Sequence, residues 1–306
     1  MIKVFVDGAA GTTGLEIVHR LESNAAVSLI RLDDADRKDV TRRRSAINAA
    51  DFVILCLPDD AAREAVSLVE RAETRVIDAS SAHRVDPVWA YGFPELSADY
   101  RSAIRQARQV SNPGCYPTGF LSLVGPLVRD RLIAPDARLT VNAVSGYSGG
   151  GRAMIDAYRS PDSPAWHSYG LDMAHKHIPE MQAHAGLSHA PIFAPAVVPA
   201  VRGMIVEIPL HADAGFADRA RETLAEAYRS EPVIDVADKA DNPTQLVIHE
   251  DSPASDRLTL AVYGNPDGSQ ARLVARFDNL GKGASGACVQ NLNLMAGFTE
   301  TDGLVL

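Results

Sequence analysis

The hydrophobic positions of the first hundred residues follow a strand–helix rhythm. Short, continuous apolar runs predict strands, which we place at residues 2–7, 27–32, 52–57 and 75–78. The third run is apolar throughout, which is typical of a parallel strand covered on both faces. One helix is predicted from about Thr13 to Glu22, with Leu15, Val18 and Leu21 on one face, and another begins at Asp59. Strands that alternate with helices predict a doubly wound parallel α/β sheet.

After about residue 137 the pattern changes to strands with few helices between them. The predicted strands are residues 138–144, 203–210, 257–263 and 270–277, and the clearest helix is 216–229. This arrangement is typical of an α+β domain with a mixed sheet. A last helix is predicted over 284–297, where Cys288, Leu292 and Met295 share one stripe.

Length and composition narrow the class of protein. A chain of 306 residues predicts two domains, and its net charge of −9 argues against a nucleic-acid binder. The longest apolar stretch, at 191–201, contains three prolines and predicts no membrane helix, and no signal peptide precedes the first strand. The three cysteines are too few for a disulfide framework. We therefore expect a cytoplasmic protein.

A glycine-rich turn joins the first strand to the first helix. Gly8, Gly11 and Gly14 follow a G-x-x-G-x-x-G spacing, and Thr12 and Thr13 lie between the last two. Glycines allow close backbone approach, and a helix N-terminus attracts a pyrophosphate. The spacing differs from the commoner G-x-G-x-x-G, so a tight turn that binds nothing is the alternative. The strand before it and the alternation after it favour a dinucleotide site.

The charges after the second strand bear on the choice of cofactor. Asp33 and Asp34 are placed to hold a ribose 2′-hydroxyl, as in NAD binding. Arg31, Arg37 and Lys38 crowd the same loop and suit a 2′-phosphate. A solvated charged loop is the third interpretation. The basic residues favour NADP.

Cys115 lies in the most unusual stretch of the chain. Two prolines and two glycines surround it, and the apolar run 120–124 predicts a helix with Pro117 in its first turn. A thiol at a helix N-terminus has a lowered pKa and reacts as a thiolate nucleophile. The alternative is a small apolar residue in a buried turn. Cys56, in a core strand, and Cys288, on an apolar helix stripe, fit that alternative well.

A thiolate nucleophile needs a proton acceptor and donor, and His175 and His177 are the best candidates among nine histidines. In an extended segment the two side chains would face the same way. Zinc binding is one alternative, but no cysteine or HExxH pattern accompanies the pair, so we predict no metal. Surface histidines beside Lys176 and Glu180 are the other.

Three further segments have the composition of ligand sites. The segment 145–152 is rich in glycine and serine and ends in Arg152, and Arg202 precedes a predicted strand. Either guanidinium suits a phosphate or carboxylate, or is a surface charge. The run from Asp278 through Asn279, Gly281 and Lys282 is a second glycine-rich approach to a helix.

Taken together, these segments resemble the N-acetyl-gamma-glutamyl-phosphate reductase family of semialdehyde dehydrogenases. The stretch Asn112-Pro-Gly-Cys115-Tyr-Pro-Thr118 resembles the nucleophile signature of that family. The likeness continues, in the family's order, through the segments 78–84, 91–96, 144–149, 175–180 and 278–283. The length is similar to the family's shorter form. The chain departs from the family pattern at Ser81-Ala-His83, where Ala-Asp-Phe is common, and at Tyr147, where a small residue is common.

The resemblance implies a Rossmann domain over 1–114, completed by the C-terminal helix 284–306, and a glyceraldehyde-3-phosphate-dehydrogenase-like domain over 115–283. It implies Cys115 as nucleophile and His177 as acid and base, with His175 as the rival. It also implies NADP and a homo-oligomer, either a dimer or a tetramer. The cofactor-binding residues it implies are Gly8, Gly11, Thr12, Thr13, Gly14, Arg37, Ser80, Asn279, Gly281 and Lys282. Arg84, Ser148 and Arg202 are the candidates for contact with the substrate.

The reaction implied is the reduction by NADPH of N-acetyl-glutamyl phosphate, a small acyl phosphate, to its semialdehyde through a Cys115 thioester, a step of arginine biosynthesis. The first alternative is a relative that acts on aspartyl phosphate or on carrier-bound aminoadipyl phosphate. The second is a nucleotide-sensing regulator, which we would expect to lack Cys115 or the histidines.

Overall fold

The computed structural model describes residues 1–33 and 35–306, and the chain divides into two compact units. The first contains Met1–Gly114 and Ala284–Leu304, and the second contains Cys115–Gly283 and Val305–Leu306. No helix within the described ranges has both the length and the apolar character needed to cross a membrane.

The first unit is built on a six-stranded sheet in the order β2-β1-β3-β4-β6-β5, in which every neighbouring pair is parallel. Its strands are β1 (Ile2–Asp7), β2 (Val27–Ile30), β3 (Phe52–Leu55), β4 (Arg75–Asp78), β5 (Ala90–Tyr91) and β6 (Gln109–Ser111). Its helices are α1 (Thr12–Glu22), α2 (Val40–Ala49), α3 (Asp59–Ser67), α4 (Ala98–Gln106) and, from the end of the chain, α9 (Gly286–Ala296). The predicted doubly wound parallel sheet is confirmed.

Alternate residues of the central strands enter two separate cores. Val4, Val6 and Ile54 pack with α1, α4 and α9, whereas Phe5 and Val53 pack with α2 and α3. Because side chains alternate along a strand, this division means that helices cover both faces of the sheet. The unbroken apolar run of β3 is explained by this double cover.

The structure corrects the predicted face of α1. Leu15 is 57% exposed, whereas Ile17 and Leu21 are buried in the core. Residues 17 and 21 are one turn apart, but residues 15 and 21 are separated by about a third of the helix circumference at ~3.6 residues per turn. The buried stripe therefore runs through Gly14, Ile17 and Leu21.

The second unit is built on a seven-stranded mixed sheet in the order β11-β12-β13-β10-β7-β9-β8. Its strands are β7 (Thr140–Gly146), β8 (His167–Ser168), β9 (Ile192–Val198), β10 (Met204–His211), β11 (Ile234–Val236), β12 (Leu258–Gly264) and β13 (Gln270–Phe277). Its helices are α5 (Cys115–Arg129), α6 (Gly151–Tyr158), α7 (Ile178–Ala185) and α8 (Phe216–Ala227). The predicted α+β class with a mixed sheet is confirmed.

Helix α5 packs closely on this sheet because Gly119 has no side chain. A Cβ atom at Gly119 would lie 2.7 Å from Val206 Cγ2 and 2.8 Å from Phe277 Cε1. The close approach fixes α5, and with it the first residue of the helix, Cys115, against β10 and β13.

Candidate active site

The turn between β1 and α1 explains the unusual glycine spacing. Gly8 has a φ of +88°, and a Cβ there would lie 2.2 Å from the carbonyl oxygen of Cys56. A Cβ at Gly14 would lie 2.4 Å from the carbonyl oxygen of Gly8. Gly11 has an ordinary φ and immediately precedes α1, and a Cβ there would meet its nearest neighbour at 3.4 Å. The fold itself thus requires two of the glycines, and the third leaves room beside the first turn of the helix.

A cavity of about 650 Å³ opens beside this turn. Its walls come from the turn, the ends of β1 to β3 and the loop after β2 (Phe5–Gly11, Leu15, Val18, Leu29–Leu32, Arg37, Lys38, Arg43, Cys56, Leu57 and Ala61). The wall is mostly apolar and has backbone amides at one end, as dinucleotide pockets have. The missing Cβ atoms, the helix N-terminus and this cavity fit a dinucleotide.

Basic side chains dominate the polar part of this wall. Arg31, Arg37 and Lys38 line the cavity, and Arg43 donates from Nε and Nη2 to the Asp7 carboxylate at 3.1 and 2.9 Å. Asp33 is exposed and does not line the cavity. The second predicted acidic candidate, Asp34, lies outside the described residues.

The loop after β4 is organised by the buried Asp78 carboxylate. It accepts hydrogen bonds from the backbone N–H of Ser80 at 2.9 Å and from Ser80 Oγ at 2.7 Å, and His83 Nδ1 lies 2.6 Å away. The His83 ring stacks on Trp89 at a centroid distance of 4.2 Å. Arg84 is buried and donates to the carbonyl oxygens of Asn112 and Ala79, each at 3.0 Å.

Cys115 is the first residue of α5, as the sequence predicts, and Pro117 lies in the first turn. The thiol is half-buried. A Cβ on Gly283 would lie 3.1 Å from Cys115 Cβ, so the glycine-rich turn after β13 lies directly beside the cysteine. Of the other two cysteines, burial raises the pKa of Cys56 to about 12 and raises the pKa of Cys288 well above its ordinary value.

His175 and His177 are brought together around Tyr116, the residue that follows Cys115. The Tyr116 ring centroid lies 6.2 Å from that of His175 and 5.9 Å from that of His177, and the two imidazoles are 4.7 Å apart. The segment is not extended: the backbone turns at residues 176–177 and leads into α7 at Ile178. The backbone N–H of His177 donates to His175 Nδ1 at 3.1 Å, so a neutral His175 carries its proton on Nε2.

The ring of Tyr169 completes this cluster, and no sequence motif singled it out. Its hydroxyl donates to Tyr116 Oη at 3.1 Å, and its ring centroid lies 5.6 Å from that of His175. Burial raises the pKa of Tyr116 well above its ordinary value and the pKa of Tyr169 to about 12, and the negative charge of Cys115 adds to both shifts. Both phenols are therefore neutral donors at physiological pH.

A second polar group in this unit joins Arg202 to the turn after β13. Arg202 Nη1 donates to Asp278 Oδ2 at 3.0 Å. Asn279 Nδ2 donates to Ser148 Oγ at 2.9 Å, and Asn279 Oδ1 accepts from the backbone N–H of Gly203 at 3.0 Å. Residues of three segments distant in sequence, Ser148, Arg202 and Asp278-Asn279, therefore share one network. Arg152 is exposed on α6.

The neighbouring Gly281 and Lys282 are fixed by tight packing. A Cβ on Gly281 would lie 1.9 Å from the carbonyl oxygen of Ser255, and Lys282 is 1% exposed. The turn is thus closely packed on the loop at Ser255, and no larger residue fits at Gly281.

Comparison with known proteins identifies the class first. A model of the semialdehyde dehydrogenase NAD binding domain matches residues 3–107, and one of the semialdehyde dehydrogenase dimerisation domain matches residues 115–279. The first unit is therefore a domain for a nicotinamide dinucleotide, and the second belongs to a class of oligomer-forming domains.

Among solved structures, aspartate semialdehyde dehydrogenase II from Vibrio cholerae, complexed with ASA, matches with a TM-score of 0.72, 17% identity, and coverage of 97% of this chain and 98% of that one. Aspartate semialdehyde dehydrogenase with NADP from Candida albicans matches with a TM-score of 0.65, 14% identity and coverage of 97% and 98%. At these identities the likeness is one of fold.

Sequence relatives then give the branch within that class. N-acetyl-gamma-glutamyl-phosphate reductase from Burkholderia lata is 48% identical, with 97% of each chain covered. N-acetyl-gamma-glutamyl-phosphate reductase 2 from Pseudomonas putida is 46% identical, with 98% of each chain covered, and that from Nostoc is 44% identical, with 99% of each covered. The chain belongs to the N-acetyl-gamma-glutamyl-phosphate reductase family of semialdehyde dehydrogenases.

Proposed function

We propose that this protein reduces N-acetyl-L-glutamyl 5-phosphate with NADPH, giving N-acetyl-L-glutamate 5-semialdehyde and phosphate, through a thioester on Cys115. The observation that carries the proposal is the position of Cys115 at the start of α5, where the next residue, Tyr116, packs against His175 and His177. The near-full-length likeness to reductases of that name supports the choice of substrate.

The residues beside the first cavity suit the cofactor. Backbone amides at Thr12 and Thr13, at the start of α1, would hold the pyrophosphate, and the absent side chain of Gly11 leaves space for it. Arg37, together with Arg31 and Lys38, would pair with a 2′-phosphate, which favours NADP over NAD. Ser80, Asn279, Gly281 and Lys282 remain predictions as cofactor contacts.

The chain's own part in the reaction begins with the thiol. The positive end of the α5 dipole stabilises a Cys115 thiolate, which attacks the acyl carbonyl. The carbon–sulfur bond forms, the bond to the phosphate oxygen breaks, and phosphate departs with its electron pair. When bound, the nicotinamide cofactor would supply the hydride that reduces the acyl carbon. A thioester accepts hydride more readily than an oxygen ester, which is why the nucleophile is a cysteine.

The histidines stabilise the negative charge that develops on the substrate oxygen during this reduction. When the carbonyl carbon gains a hydride, its oxygen becomes an alkoxide, and an adjacent imidazolium stabilises that charge. Collapse of this species regenerates the thiolate and leaves the aldehyde. We assign the acid–base role to His177, which is buried at the start of α7, with His175 as its neighbour in the same cluster.

Arg202 is the cation best placed for a charged group of the substrate. It lies in the same unit as Cys115, and Asp278 holds one edge of its guanidinium at 3.0 Å. Ser148 is linked to the same group through Asn279. Arg84 donates hydrogen bonds to the backbone carbonyl oxygens of Asn112 and Ala79, and its contact with the substrate remains a prediction.

The match to a dimerisation domain supports assembly as a homodimer or a homotetramer. A reactive thiol and two further free cysteines suit a reducing compartment, so we place the protein in the cytoplasm.

Phosphate-dependent reduction of NADP+ with N-acetyl-glutamate semialdehyde tests the proposal, run beside aspartate semialdehyde for the native protein and for Cys115→Ser. We expect activity with the first substrate alone and its loss in the variant. Activity on aspartate semialdehyde instead would retain the thioester chemistry and contradict the substrate. A folded protein that binds NADP but turns over neither compound would contradict the reductase function itself.

A further inference from the structure

Tyr169 approaches the thiol site from an element separate from those that carry Cys115 and the histidines. It follows the edge strand β8, and its backbone N–H donates to the carbonyl oxygen of Pro195 on β9 at 3.3 Å. The next residue, Gly170, lies against His175: a Cβ there would be 3.7 Å from His175 Cδ2. The segment 169–170 therefore forms one wall of the histidine cluster.

The hydroxyl groups of Tyr169 and Tyr116 form a short chain. Tyr169 Oη donates to Tyr116 Oη at 3.1 Å, and Tyr116 Oη donates to the carbonyl oxygen of Ala196 at 3.4 Å. Tyr116 is buried among aromatic rings, with Phe193 at 5.0 Å and His175 at 6.2 Å between centroids. The chain of hydroxyls thus ties the outer ring, Tyr169, to the residue that adjoins the nucleophile.

The imidazole of His175 is enclosed by the same rings. Its centroid lies 5.6 Å from Tyr169 and 5.1 Å from Phe193, and its Nδ1 is occupied by the backbone N–H of His177. The hydrogen bond at Nδ1 and the contacts with Tyr169 and Phe193 together restrict the orientation of this ring. A restraint on Tyr169 is therefore also a restraint on His175.

We propose that Tyr169 is a positioning residue of the active site, which acts through its hydroxyl on Tyr116 and through its ring on His175, and so holds the imidazole pair beside Cys115. The role in turnover rests on the proposed function. The titratable groups that face Tyr169 are Tyr116, His167, His175 and Cys115. Burial raises the pKa of Tyr169 to about 12, which keeps the phenol a neutral hydrogen-bond donor throughout the working range of pH.

The test uses Tyr169→Phe, which retains the ring and removes the hydroxyl, with Tyr116→Phe and the double variant. We expect kcat to fall by about tenfold in Tyr169→Phe, with KM for both substrates unchanged, since the substitution removes one oriented hydrogen bond of the cluster and leaves the ring in place. Tyr263→Phe is the matched control, because the Tyr263 hydroxyl has no hydrogen-bond partner among the residues that the structure describes. It should retain native kcat.

The double variant separates a shared role from two independent ones. If the two hydroxyls act as one chain, Tyr116→Phe/Tyr169→Phe should be no slower than the slower single variant. The proposal would be overturned if the fold losses in kcat of the two single variants multiplied in the double variant, or if Tyr169→Phe had native kcat.

A second readout needs no substrate and so stands apart from the proposed function. The rate of Cys115 alkylation by iodoacetamide, followed against pH, reports the thiolate fraction. An imidazolium held near the thiol lowers the pH midpoint, so Tyr169→Phe should move that midpoint upwards and Tyr263→Phe should not. An unchanged midpoint with a native melting temperature would contradict positioning by Tyr169, whatever the enzyme turns over.

Discussion

Replacement of Gly8 and of Gly11 by alanine separates what the fold requires from what a cofactor requires. The two residues lie in the same turn but differ in backbone and surroundings. At Gly8 the φ of +88° disfavours a side chain, and the new Cβ would lie 2.2 Å from a backbone oxygen. At Gly11 the φ is −79° and the nearest atom would lie at 3.4 Å.

The expected cost follows from these values. A residue with a side chain loses about 1–2 kcal/mol in the left-handed region, and relief of the backbone clash raises the total for Gly8→Ala to about 3–5 kcal/mol. A loss of this size lowers the melting temperature by on the order of 10 °C. Gly11→Ala changes a helix N-cap from glycine to alanine, which costs about 1 kcal/mol or less.

Gly11→Ala, which costs the fold less than Gly8→Ala, should be the variant that loses more affinity for the cofactor. A methyl group at Gly11 would occupy the space beside the first amides of α1, where we place the pyrophosphate, and should weaken NADPH binding at least about tenfold. Thermal unfolding and fluorescence titration with NADPH measure the two effects. A Gly8→Ala variant with a native melting temperature would refute the steric argument. A Gly11→Ala variant with native affinity for NADPH would refute the placement of the pyrophosphate.

Two further predictions concern stability. Burial raises the pKa of Cys56 from 9.0 to about 12, so the folded state is destabilised relative to the unfolded state as the pH rises from 9 towards 12. Denaturant unfolding should show that the free energy of unfolding falls by up to about 1.4 kcal/mol per pH unit over this range. The fall should be smaller in a Cys56→Ala variant, and an equal dependence on pH in the two proteins would contradict the assignment. Asp256→Ala should lower the free energy of unfolding by about 2–3 kcal/mol, because the buried Asp256 Oδ2 accepts from the N–H of Val305 at 2.7 Å and alanine cannot make this hydrogen bond. Hydrogen exchange at the Val305 amide should then be faster than in the native protein, and an unchanged rate would show that the Asp256 carboxylate does not hold this segment.

Local sequence cues predicted the parts of the site that are local in the structure. Gly8 and Gly14 were recognisable because both belong to one short turn whose glycine spacing is visible in the sequence. Cys115 was recognisable because the prolines and glycines around it fix the start of α5. The unbroken apolar strands identified the parallel sheet because both of its faces are buried. The predicted buried face of α1 was wrong at Leu15. Leu15, Val18 and Leu21 are all apolar and fit one face of a helix, but the buried face contains Gly14, which has no side chain to mark it in the sequence.

The long-range parts of the site had no local signal. Tyr169 meets Tyr116 across 53 positions, through the pairing of the short edge strand β8 with β9. Arg202 meets Asp278 across 76 positions because β10 and β13 are antiparallel neighbours. Helix α2 was not predicted, because its arginines mask the apolar pattern and one of them, Arg43, is itself buried against Asp7. A single sequence does not contain the register that brings such residues together.

Mass spectrometry of the acylated protein tests the central claim most directly. Native protein mixed with N-acetyl-glutamyl phosphate in the absence of NADPH should gain one N-acetylglutamyl group, located on the peptide that contains Cys115 and released by hydroxylamine. Addition of NADPH should remove the group and yield the semialdehyde, and Cys115→Ala should not be labelled. Acylation of another residue, or turnover of the acyl phosphate by Cys115→Ala, would contradict a thioester on Cys115.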